Sequence, residues 1–349
     1  MRCVQEGEPT ASPSQGTMLH FWKDYPHIQQ DLARVQDIMR SSLQGRDPLL
    51  NQTIQTLLGR NGKMLRPGFV VLGARLKPYR KGPYPLQKPL PEKIYHIAAA
   101  VEILHLATLI HDDVIDRALT RRGAPTVNAE IGDRNAVLTG DFLFSRCFSI
   151  VADYSTMENA RLLARGVSHI CESEIAQSRR FDPATLSVRN YLHRIIGKTA
   201  FLFSLSLFVG AEELKAPRAL TTSLRRIGYS VGISFQIIDD ILDMVGTPET
   251  TGKSTGGDLR EGIYTLPVIL AANADQKVAL SLYTPENLAT PSGYEKARAF
   301  ILSHGGVEKS REYAKQYTER ALREASRLPP SENRKVLIEV IEKLLHRSY

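Results

Sequence analysis

The sequence predicts an all-α protein, and three observations support this. Long stretches place apolar residues three and four positions apart, the spacing of one helix face. No run of strictly alternating residues closes in a hairpin turn. Composition is that of an ordinary folded chain, with 42% hydrophobic and 23% charged residues. The helical stretches include HFWKDYPHIQQDLARVQDIMRSSL, KIYHIAAAVEILHLATLIHDDVID, ENARLLARGVSHICESEIAQ and EKSREYAKQYTERALREASRL.

Breaks rich in Pro and Gly separate these helices at residues 76–93, 181–183, 245–258 and 283–293. Similar helical patterns resume on both sides of each break, so none needs to be a domain boundary. The first 19 residues are rich in Pro, Ser, Gly and Glu, and they lack the apolar segment of a signal peptide. We therefore expect a flexible leader over 1–19 and a single domain over 20–349.

Charge, apolar runs and cysteines limit the class of ligand, the relation to a membrane and the cellular compartment. The net charge is +8 with a pI near 9.3, but the basic residues are spread out, so nucleic acid is not indicated and small anions or lipid surfaces fit as well. The longest apolar run, 199–211, is 13 residues long, shorter than the about 20 needed to cross a bilayer, so it predicts a buried helix. Cys3, Cys147 and Cys171 show no paired spacing, which favours a reducing cytoplasm.

The stretch LATLIHDDVIDRALTRRG (106–123) carries the first acidic cluster. On a helix, Asp112 and Asp116 share a face, whereas Asp113 points about 100° away. Two carboxylates on one face repel each other unless a cation lies between them. A single DxxxD is more often a solvated helix end, so this cluster alone does not indicate a site.

The same spacing recurs in FQIIDDILD, with Asp239, Asp240 and Asp243 again following an apolar run. Two matching clusters on apolar helices suggest that they face each other. Carboxylate oxygens on rigid helices suit Mg²⁺, which keeps several waters and commonly binds one or two carboxylates together with substrate phosphates. A diphosphate is therefore the expected ligand.

Cations beside Gly or Pro breaks fit an anionic ligand. Lys63 and Arg66 in GKMLRP are three apart and predict one helix face. The Gly-rich TGKSTGGDLREG could fold over a ligand and exclude water. Each cation alone would be an ordinary surface charge. The other candidates are Arg121, Arg122, Lys253 and Lys198 with its neighbour Thr199.

His105 lies seven residues before Asp112, on much the same helix face. Together with Glu102 it spells ExxH, which is typical of di-iron bundles and would favour a redox protein. That interpretation needs a second ExxH, which the sequence does not contain.

In this order, the motifs GKxLRP, DDxxD, KTA, DDxxD and GKxxGxDLxEG make the chain resemble the trans-isoprenyl diphosphate synthases from about residue 20 to 349. The resemblance implies the isoprenoid synthase fold, with antiparallel helices around a deep apolar cavity and the two aspartate clusters across its mouth. It also implies a homodimer and about three Mg²⁺ ions bound with the allylic diphosphate.

The resemblance further assigns roles residue by residue. Of the six motif aspartates, Asp112, Asp116 and Asp239 would bind Mg²⁺, and Asp113, Asp240 and Asp243 would support them. The allylic diphosphate would contact Arg121, Lys198, Thr199, Gln236 and Lys253. Isopentenyl diphosphate would contact Lys63, Arg66, His105 and Arg122.

Two positions depart from the family pattern. Ile263 stands where a lysine is common, and Ser173 replaces a frequent glycine. Glu174, Gln177, Thr265 and Pro267 match the pattern. We therefore expect an active enzyme.

Product length depends on the residues before Asp112, because the growing chain should run down this helix at 5.4 Å per turn. In the family, short-chain enzymes carry aromatic residues where Ala107 and Thr108 stand here. The small side chains of Ala107 and Thr108 would leave the tunnel for the growing chain open. This and the resemblance to hepta-, octa- and decaprenyl synthases predict an all-trans product of about C35 to C50, used for quinone side chains. Leu104 and Val101, deeper along the helix, are candidates for the residues that close the tunnel.

Three alternatives stay open at this point. One is a shorter-chain synthase of about C15 to C20, and another is a subunit of a heteromeric synthase. The third, a terpene cyclase, could share the fold but has no need for an isopentenyl site. Whether the basic surface contacts a membrane during product release is also open.

Overall fold

The computed structural model describes residues 21–60, 62–78, 82–121, 123–177, 181–246 and 256–345. These residues are mainly helical, as the sequence predicts. A 3₁₀ turn spans Pro183–Thr185 and a π turn spans Ile196–Ala200. The α-helices are α1 (Pro26–Ser42), α2 (Pro48–Gly59), α3 (Leu65–Leu76), α4 (Glu92–Ile115), α5 (Val127–Ile131), α6 (Asp133–Tyr154), α7 (Met157–Gln177), α8 (Val188–Ile195), α9 (Phe201–Glu213), α10 (Arg218–Val245), α11 (Gly257–Arg260), α12 (Leu266–Ala272), α13 (Gln276–Leu282), α14 (Pro285–Leu288), α15 (Pro291–Ser303), α16 (Gly306–Ser326) and α17 (Glu332–Leu345).

Several helices begin where the sequence supplies a cap. At the start of α2, the Asp47 side chain accepts a hydrogen bond from the backbone N–H of Leu50 at 3.0 Å, and Pro48 occupies the first helical position. Proline is favoured there because that N–H has no partner inside the helix. The same pairing of a polar cap with proline begins α14 and α15, at Thr284 and Thr290.

Helix α9 lies at the centre of the fold. It packs against α3, α4 and α10, while α6 covers α4 and α16 covers α10. Nearly every side chain of α9 is buried, as expected for a helix that is apolar all round. The predicted buried helix over 199–211 is therefore confirmed, except that its first two residues belong to the π turn.

Two apolar helical segments among the described residues are long enough to cross a bilayer by length and composition. They are Glu92–Ile115 and Val188–Glu213, and 72% and 78% of their most apolar windows are buried inside the protein. This burial is what core helices show.

One short hairpin departs from the expectation of helices alone. Strand β1 (Thr120–Arg121) pairs antiparallel with β2 (Ala124–Pro125), and Gly123 between them has a φ of 76°. Two-residue strands are too short to show alternation in the sequence. The hairpin follows directly on the first acidic cluster, so it decides where Arg121 lies.

The Pro-rich connection before α4 is anchored by a buried ion pair. Arg75 Nε donates to Asp31 Oδ2 at 2.7 Å, and its Nη1 donates to the carbonyls of Pro85 and Leu86 at 3.3 and 3.0 Å. Asn333 of α17 donates to the carbonyl of Arg75 at 3.1 Å. Removing one partner of a buried pair leaves an uncompensated charge, so this network ties α1, α3 and α17 together.

The predicted leader over 1–19 lies outside the described residues. The single domain over 20–349 stays a prediction, although nearly all of the buried apolar side chains from Phe21 to Leu345 belong to one cluster.

Candidate active site

The first acidic cluster lies at the C-terminal end of α4, with Asp116 as its C-cap. Asp112 and Asp116 are partly exposed, whereas Asp113 is buried. This matches the predicted 100° separation of Asp113 from the other two. The hairpin brings Arg121 back to Asp113, and its Nε and Nη2 lie 2.8 and 2.6 Å from Asp113 Oδ1.

The position of Arg121 is set by the end of α4 and by the hairpin. Helix α4 ends at Ile115, and Arg117 adopts a left-handed φ of 50°. The guanidinium is thereby paired with Asp113. Arg122 and Lys253, also predicted to bind substrate, lie outside the described residues.

The second cluster lies near the C-terminal end of α10, and it too combines accessible aspartates with a buried one. Asp239 is exposed, and Asp240 is buried. Tyr191 donates its hydroxyl to Asp240 Oδ2 at 2.7 Å, and Gln236 Nε2 donates to Oδ1 at 2.8 Å. Asp243 is partly buried, and its carbonyl accepts from the N–H of Gly256 at 2.7 Å.

Lys198 links the two clusters electrostatically. Its π turn directly precedes α9, against which both α4 and α10 pack. Its ammonium lies 2.8 Å from Glu174 Oε1 on α7. It also interacts with Asp112 and Asp116 of the first cluster and with Asp258, which follows the second. π turns are frequent at functional sites.

Burial shifts the ionisation of this centre. Burial raises the pKa of Asp112 to about 6, opposed by the charge of Lys198 and reinforced by Glu174. Burial alone would lower the pKa of Lys198, but the carboxylates of Asp112 and Glu174 outweigh it and the pKa is raised. Lys198 is therefore a cation at neutral pH.

The pKa values of two carboxyl groups at the second cluster are also raised. Burial raises the pKa of Asp240 to about 7, although the hydrogen bonds from Tyr191 and Gln236 act in the opposite direction. Burial and the neighbouring carboxylates of Asp243 and Asp240 raise the pKa of Asp258 well above its usual value. Desolvated carboxylates that repel each other are stabilised by a bound cation.

The donor set fits Mg²⁺ bound together with a ligand. Among the described residues, no group of three His, Cys, Asp or Glu side chains forms a metal site on its own. Mg²⁺ demands fewer protein ligands, because it keeps waters and takes substrate phosphate oxygens as well. The accessible Asp112, Asp116 and Asp239 are suitable donors for that arrangement.

A chain of hydrogen bonds connects the KTA motif to the second cluster. Thr199 Oγ1 donates to Gln236 Oε1 at 2.7 Å, and Gln236 donates onward to Asp240. Thr199 and Gln236, both predicted to contact the allylic diphosphate, thus lie side by side.

The GKMLRP motif differs from its prediction. Lys63 does not share a helix face with Arg66, because α3 begins at Leu65 and Met64 has a left-handed φ of 49°. Arg66 lies in the first turn, with its guanidinium carbon 5.1 Å from the ring centre of Phe203. His105 lies on α4 with Asp112, as predicted.

The predicted chain-length residues lie along α4. Ala107, Leu104 and Val101 are buried, with 0%, 0% and 4% of their surface exposed. Thr108 keeps accessible surface and donates its hydroxyl to the carbonyl of His105 at 2.8 Å. Of the two positions before the aspartates, Thr108 is therefore the more accessible.

The two departures from the family pattern have local explanations. Ile263 is only 7% exposed, so its environment suits an apolar side chain better than a lysine. A Cβ on Gly197 would lie 1.8 Å from the Ser173 hydroxyl oxygen. The serine side chain at 173 therefore fits because residue 197 is a glycine and has no side chain. Glu174 contacts Lys198, and Thr265 and Pro267 begin α12.

Tyr191 and Asp258 belong to this centre, although the sequence assigned them no role. Tyr191 lies seven residues before Lys198, and only the fold shows that it contacts Asp240. Asp258 lies in the Gly-rich TGKSTGGDLREG segment, and a carboxylate among these glycines could have indicated a role at the site.

Comparison with known proteins agrees with this geometry. Residues 47–299 match the profile of the polyprenyl synthetase family. The chain belongs to the polyprenyl synthetase family. It is 36% identical over 330 residues to heptaprenyl diphosphate synthase component 2 of Geobacillus stearothermophilus, covering 93% of this chain and 98% of that one. Family and fold together make it an all-α prenyltransferase with the isoprenoid synthase fold.

Two solved structures resemble it closely. Geranylgeranyl pyrophosphate synthase of Lactobacillus brevis has a TM-score of 0.84 and 32% identity, covering 93% of this chain and 99% of that one. A decaprenyl diphosphate synthase of Rhodobacter capsulatus has a TM-score of 0.83 and 32% identity, covering 93% and 98%. Overall fold similarity therefore does not distinguish short from long products.

Proposed function

We propose that this protein condenses isopentenyl diphosphate head-to-tail with an allylic diphosphate, giving an all-trans polyprenyl diphosphate of about C35 to C50 for quinone side chains. The observation that carries the proposal is the interaction of Lys198 with Asp112 and Asp116 on one side and with Asp258, beside the second cluster, on the other. Two acidic clusters joined by a cation suit a diphosphate with its metal ions.

The outer aspartates have the accessible oxygens for this role. Asp112, Asp116 and Asp239 would hold Mg²⁺, and bound Mg²⁺ would offset the charge that develops on the departing diphosphate. Lys198 donates to the same diphosphate. The buried middle aspartates act differently, since Asp113 orients Arg121 and Asp240 orients Gln236.

The second substrate has its own cations. Lys63, Arg66 and His105 would hold isopentenyl diphosphate, so that its double bond meets the allylic carbon beside Thr199 and Gln236. The hydrogen bond between these two polar side chains fixes their orientation relative to each other, and such preorganisation would favour reaction at a carbon held beside them. Loss of a proton then completes the product, with the released diphosphate as the base. A terpene cyclase would not need these cations.

A long product is supported by the small side chains of Ala107 and Thr108, and by the heptaprenyl and decaprenyl relatives. The geranylgeranyl relative supports the shorter alternative. Incubation of the pure protein with farnesyl diphosphate, isopentenyl diphosphate and Mg²⁺, followed by chromatographic separation of products, decides between them. Products of about C35 or longer are expected, and accumulation at C20 or below contradicts the long-chain proposal.

The variant Ala107→Tyr tests the position of the floor. Ala107 is fully buried on α4, the helix proposed to line the product tunnel, so a tyrosine ring there should shorten the product by several isoprene units. Thr108→Ser is the matched control, because serine keeps the hydrogen bond to the His105 carbonyl and should leave the length unchanged. An unchanged product from Ala107→Tyr would mean that the floor lies elsewhere.

We also propose that the enzyme is a cytoplasmic homodimer. Large apolar side chains are exposed on α6, namely Val137, Leu138 and Phe148, and Ile115 lies at the neighbouring end of α4. Exposed large apolar side chains on one helix are compatible with an interface with another protein. Light scattering should give twice the chain mass. The name of the Geobacillus relative supports a heteromeric alternative, which requires that the pure chain be inactive until a second protein is added.

A further inference from the structure

Trp22, the only tryptophan in the chain, is fully buried beside the GKMLRP motif. Its indole Nε1 donates a hydrogen bond to the Lys63 carbonyl at 2.6 Å, across 41 residues of sequence. A buried tryptophan N–H commonly finds a partner, but here the partner is the backbone of a residue proposed to bind substrate.

The segment that Trp22 contacts has an unfavourable backbone conformation. Met64, the residue after Lys63, has a φ of 49° and is 1% exposed. Left-handed geometry at a non-glycine residue costs free energy and persists only where surrounding contacts enforce it. The hydrogen bond from Trp22 is one such contact, and it acts immediately before the strained residue.

Trp22 also contacts the start of the helix that carries Arg66. A Cβ on Gly68 would lie 2.3 Å from the Cζ2 atom of the indole, so the absence of a side chain at Gly68 makes room for the ring. The Gly68 N–H in turn donates to the Met64 carbonyl at 3.0 Å. One aromatic residue thus touches both the segment with Lys63 and the first turn with Arg66.

The neighbouring Phe21 extends this support to the end of the chain. The Lys63 ammonium lies 5.5 Å from the Phe21 ring centre, and the ammonium of Lys343 on α17 lies 5.1 Å from it. Lys343 also donates to the Phe21 carbonyl at 2.8 Å. Aromatic faces attract cations at these distances, so both Phe21 and Trp22 contact the GKMLRP segment and stabilise its position.

We infer that Trp22 is a positioning residue for isopentenyl diphosphate, holding Lys63 and Arg66 in the geometry that binds the diphosphate, and that its fluorescence reports this binding. The inference rests on the proposed function, which assigns Lys63 and Arg66 to that substrate. Trp22 touches no substrate itself and acts through the backbone of the segment.

The test compares the wild type with Trp22→Phe, which keeps an aromatic ring but removes the N–H donor. Calorimetry with isopentenyl diphosphate should show binding weakened about fivefold, as expected for loss of one hydrogen bond. The KM for isopentenyl diphosphate should rise to a similar extent. The kcat and the KM for farnesyl diphosphate should stay within about twofold, because their groups lie elsewhere.

Tyr95→Phe is the matched control for a purely structural effect. Tyr95 is also buried and donates its hydroxyl to Asp31 at 2.8 Å, away from the GKMLRP segment. This variant should lower the Tm without changing either KM. If Trp22→Phe behaves in the same way, lowering the Tm while isopentenyl diphosphate binding stays at the wild-type level, the inference is wrong.

Fluorescence of the wild type keeps the inference testable if Trp22→Phe does not fold. Added isopentenyl diphosphate should change the emission of Trp22 saturably, and Lys63→Met should abolish the change. Calorimetric binding by the wild type without any change in emission would overturn the inference alone. Absence of any calorimetric binding by the wild type would instead overturn the proposed function.

Discussion

The two DDxxD clusters share a sequence motif, but the partners of their buried aspartates differ. In both, the middle aspartate is buried while the outer aspartates keep accessible surface. Asp113 is paired with the guanidinium of Arg121, whereas Asp240 accepts hydrogen bonds from two neutral groups, Tyr191 and Gln236. A buried carboxylate with a cationic partner is compensated locally, and one with neutral partners is not.

This difference makes the second cluster the more dependent on added positive charge. Burial raises the pKa of Asp240 to about 7, and Asp258 adds a further carboxyl group to the same cluster. A proton or a metal ion can supply the missing charge. The same motif can therefore occur twice in one sequence with two different electrostatic environments.

The largest expected effects come from the outer aspartates. Asp112→Asn and Asp239→Asn keep the side-chain shape but remove a charge from the proposed metal and diphosphate site. Each should lower kcat/KM about 10²- to 10³-fold, the loss typical for removal of one transition-state stabiliser. Asp153→Asn, an exposed change on α6, should have no effect. Near-normal turnover in either outer variant would contradict the assigned roles.

The partners of the middle aspartates should differ in their effect on stability. Arg121→Met leaves Asp113 buried without its cation, and because Arg121 is 33% exposed we expect a loss of about 3 kcal/mol, at the low end for a buried pair. Tyr191→Phe removes one neutral donor, and Asp240 can take up a proton, so about 1 kcal/mol is expected. Urea denaturation with a chelator measures both. A larger loss from Tyr191→Phe than from Arg121→Met would reverse the comparison.

The smallest effect is a pH dependence specific to the second cluster. Because burial raises the pKa of Asp240 to about 7, the folded wild type holds this proton more tightly than the unfolded chain. Its stability should therefore fall as pH rises from the usual aspartate value near 4 through about 7. Asn carries no such proton. The stability of Asp240→Asn relative to wild type should improve on the order of 1 kcal/mol between pH 6 and 7, measured without metal.

Arg121→Met provides the contrast for that titration. Without Arg121, protonation relieves the buried charge of Asp113 at low pH, so the cost of Arg121→Met should grow as pH rises, opposite in sign to the trend for Asp240→Asn. A stability difference between Asp240→Asn and wild type that does not change with pH would show that Asp240 carries no such penalty.

The sequence predicted the helices and the helix faces of the two acidic clusters, because both depend on local spacing. Periodicity placed Asp112 and His105 on one helix, and the 100° offset anticipated that Asp113 points elsewhere. It could not predict that Met64 adopts a left-handed backbone, which removes Lys63 from the helix face of Arg66. Such geometry is set by tertiary contacts rather than by residue type.

Long-range contacts account for the other omissions. A two-residue hairpin returns Arg121 to Asp113, and a strand of that length leaves no periodic signal. Tyr191 reaches Asp240 across 49 residues, and Trp22 reaches Lys63 across 41. These pairings become visible only when the helices are packed.

The most direct test of the division between outer and middle aspartates is the Mg²⁺ dependence of allylic substrate binding. Calorimetry with the slowly reacting farnesyl thiolodiphosphate, with and without Mg²⁺, would compare wild type with Asp112→Asn, Asp239→Asn, Asp113→Asn and Asp240→Asn. The outer variants should lose most of the affinity that Mg²⁺ adds, and the middle variants should keep most of it. Equal losses in all four variants would contradict the assignment of Asp113 and Asp240 as positioning residues.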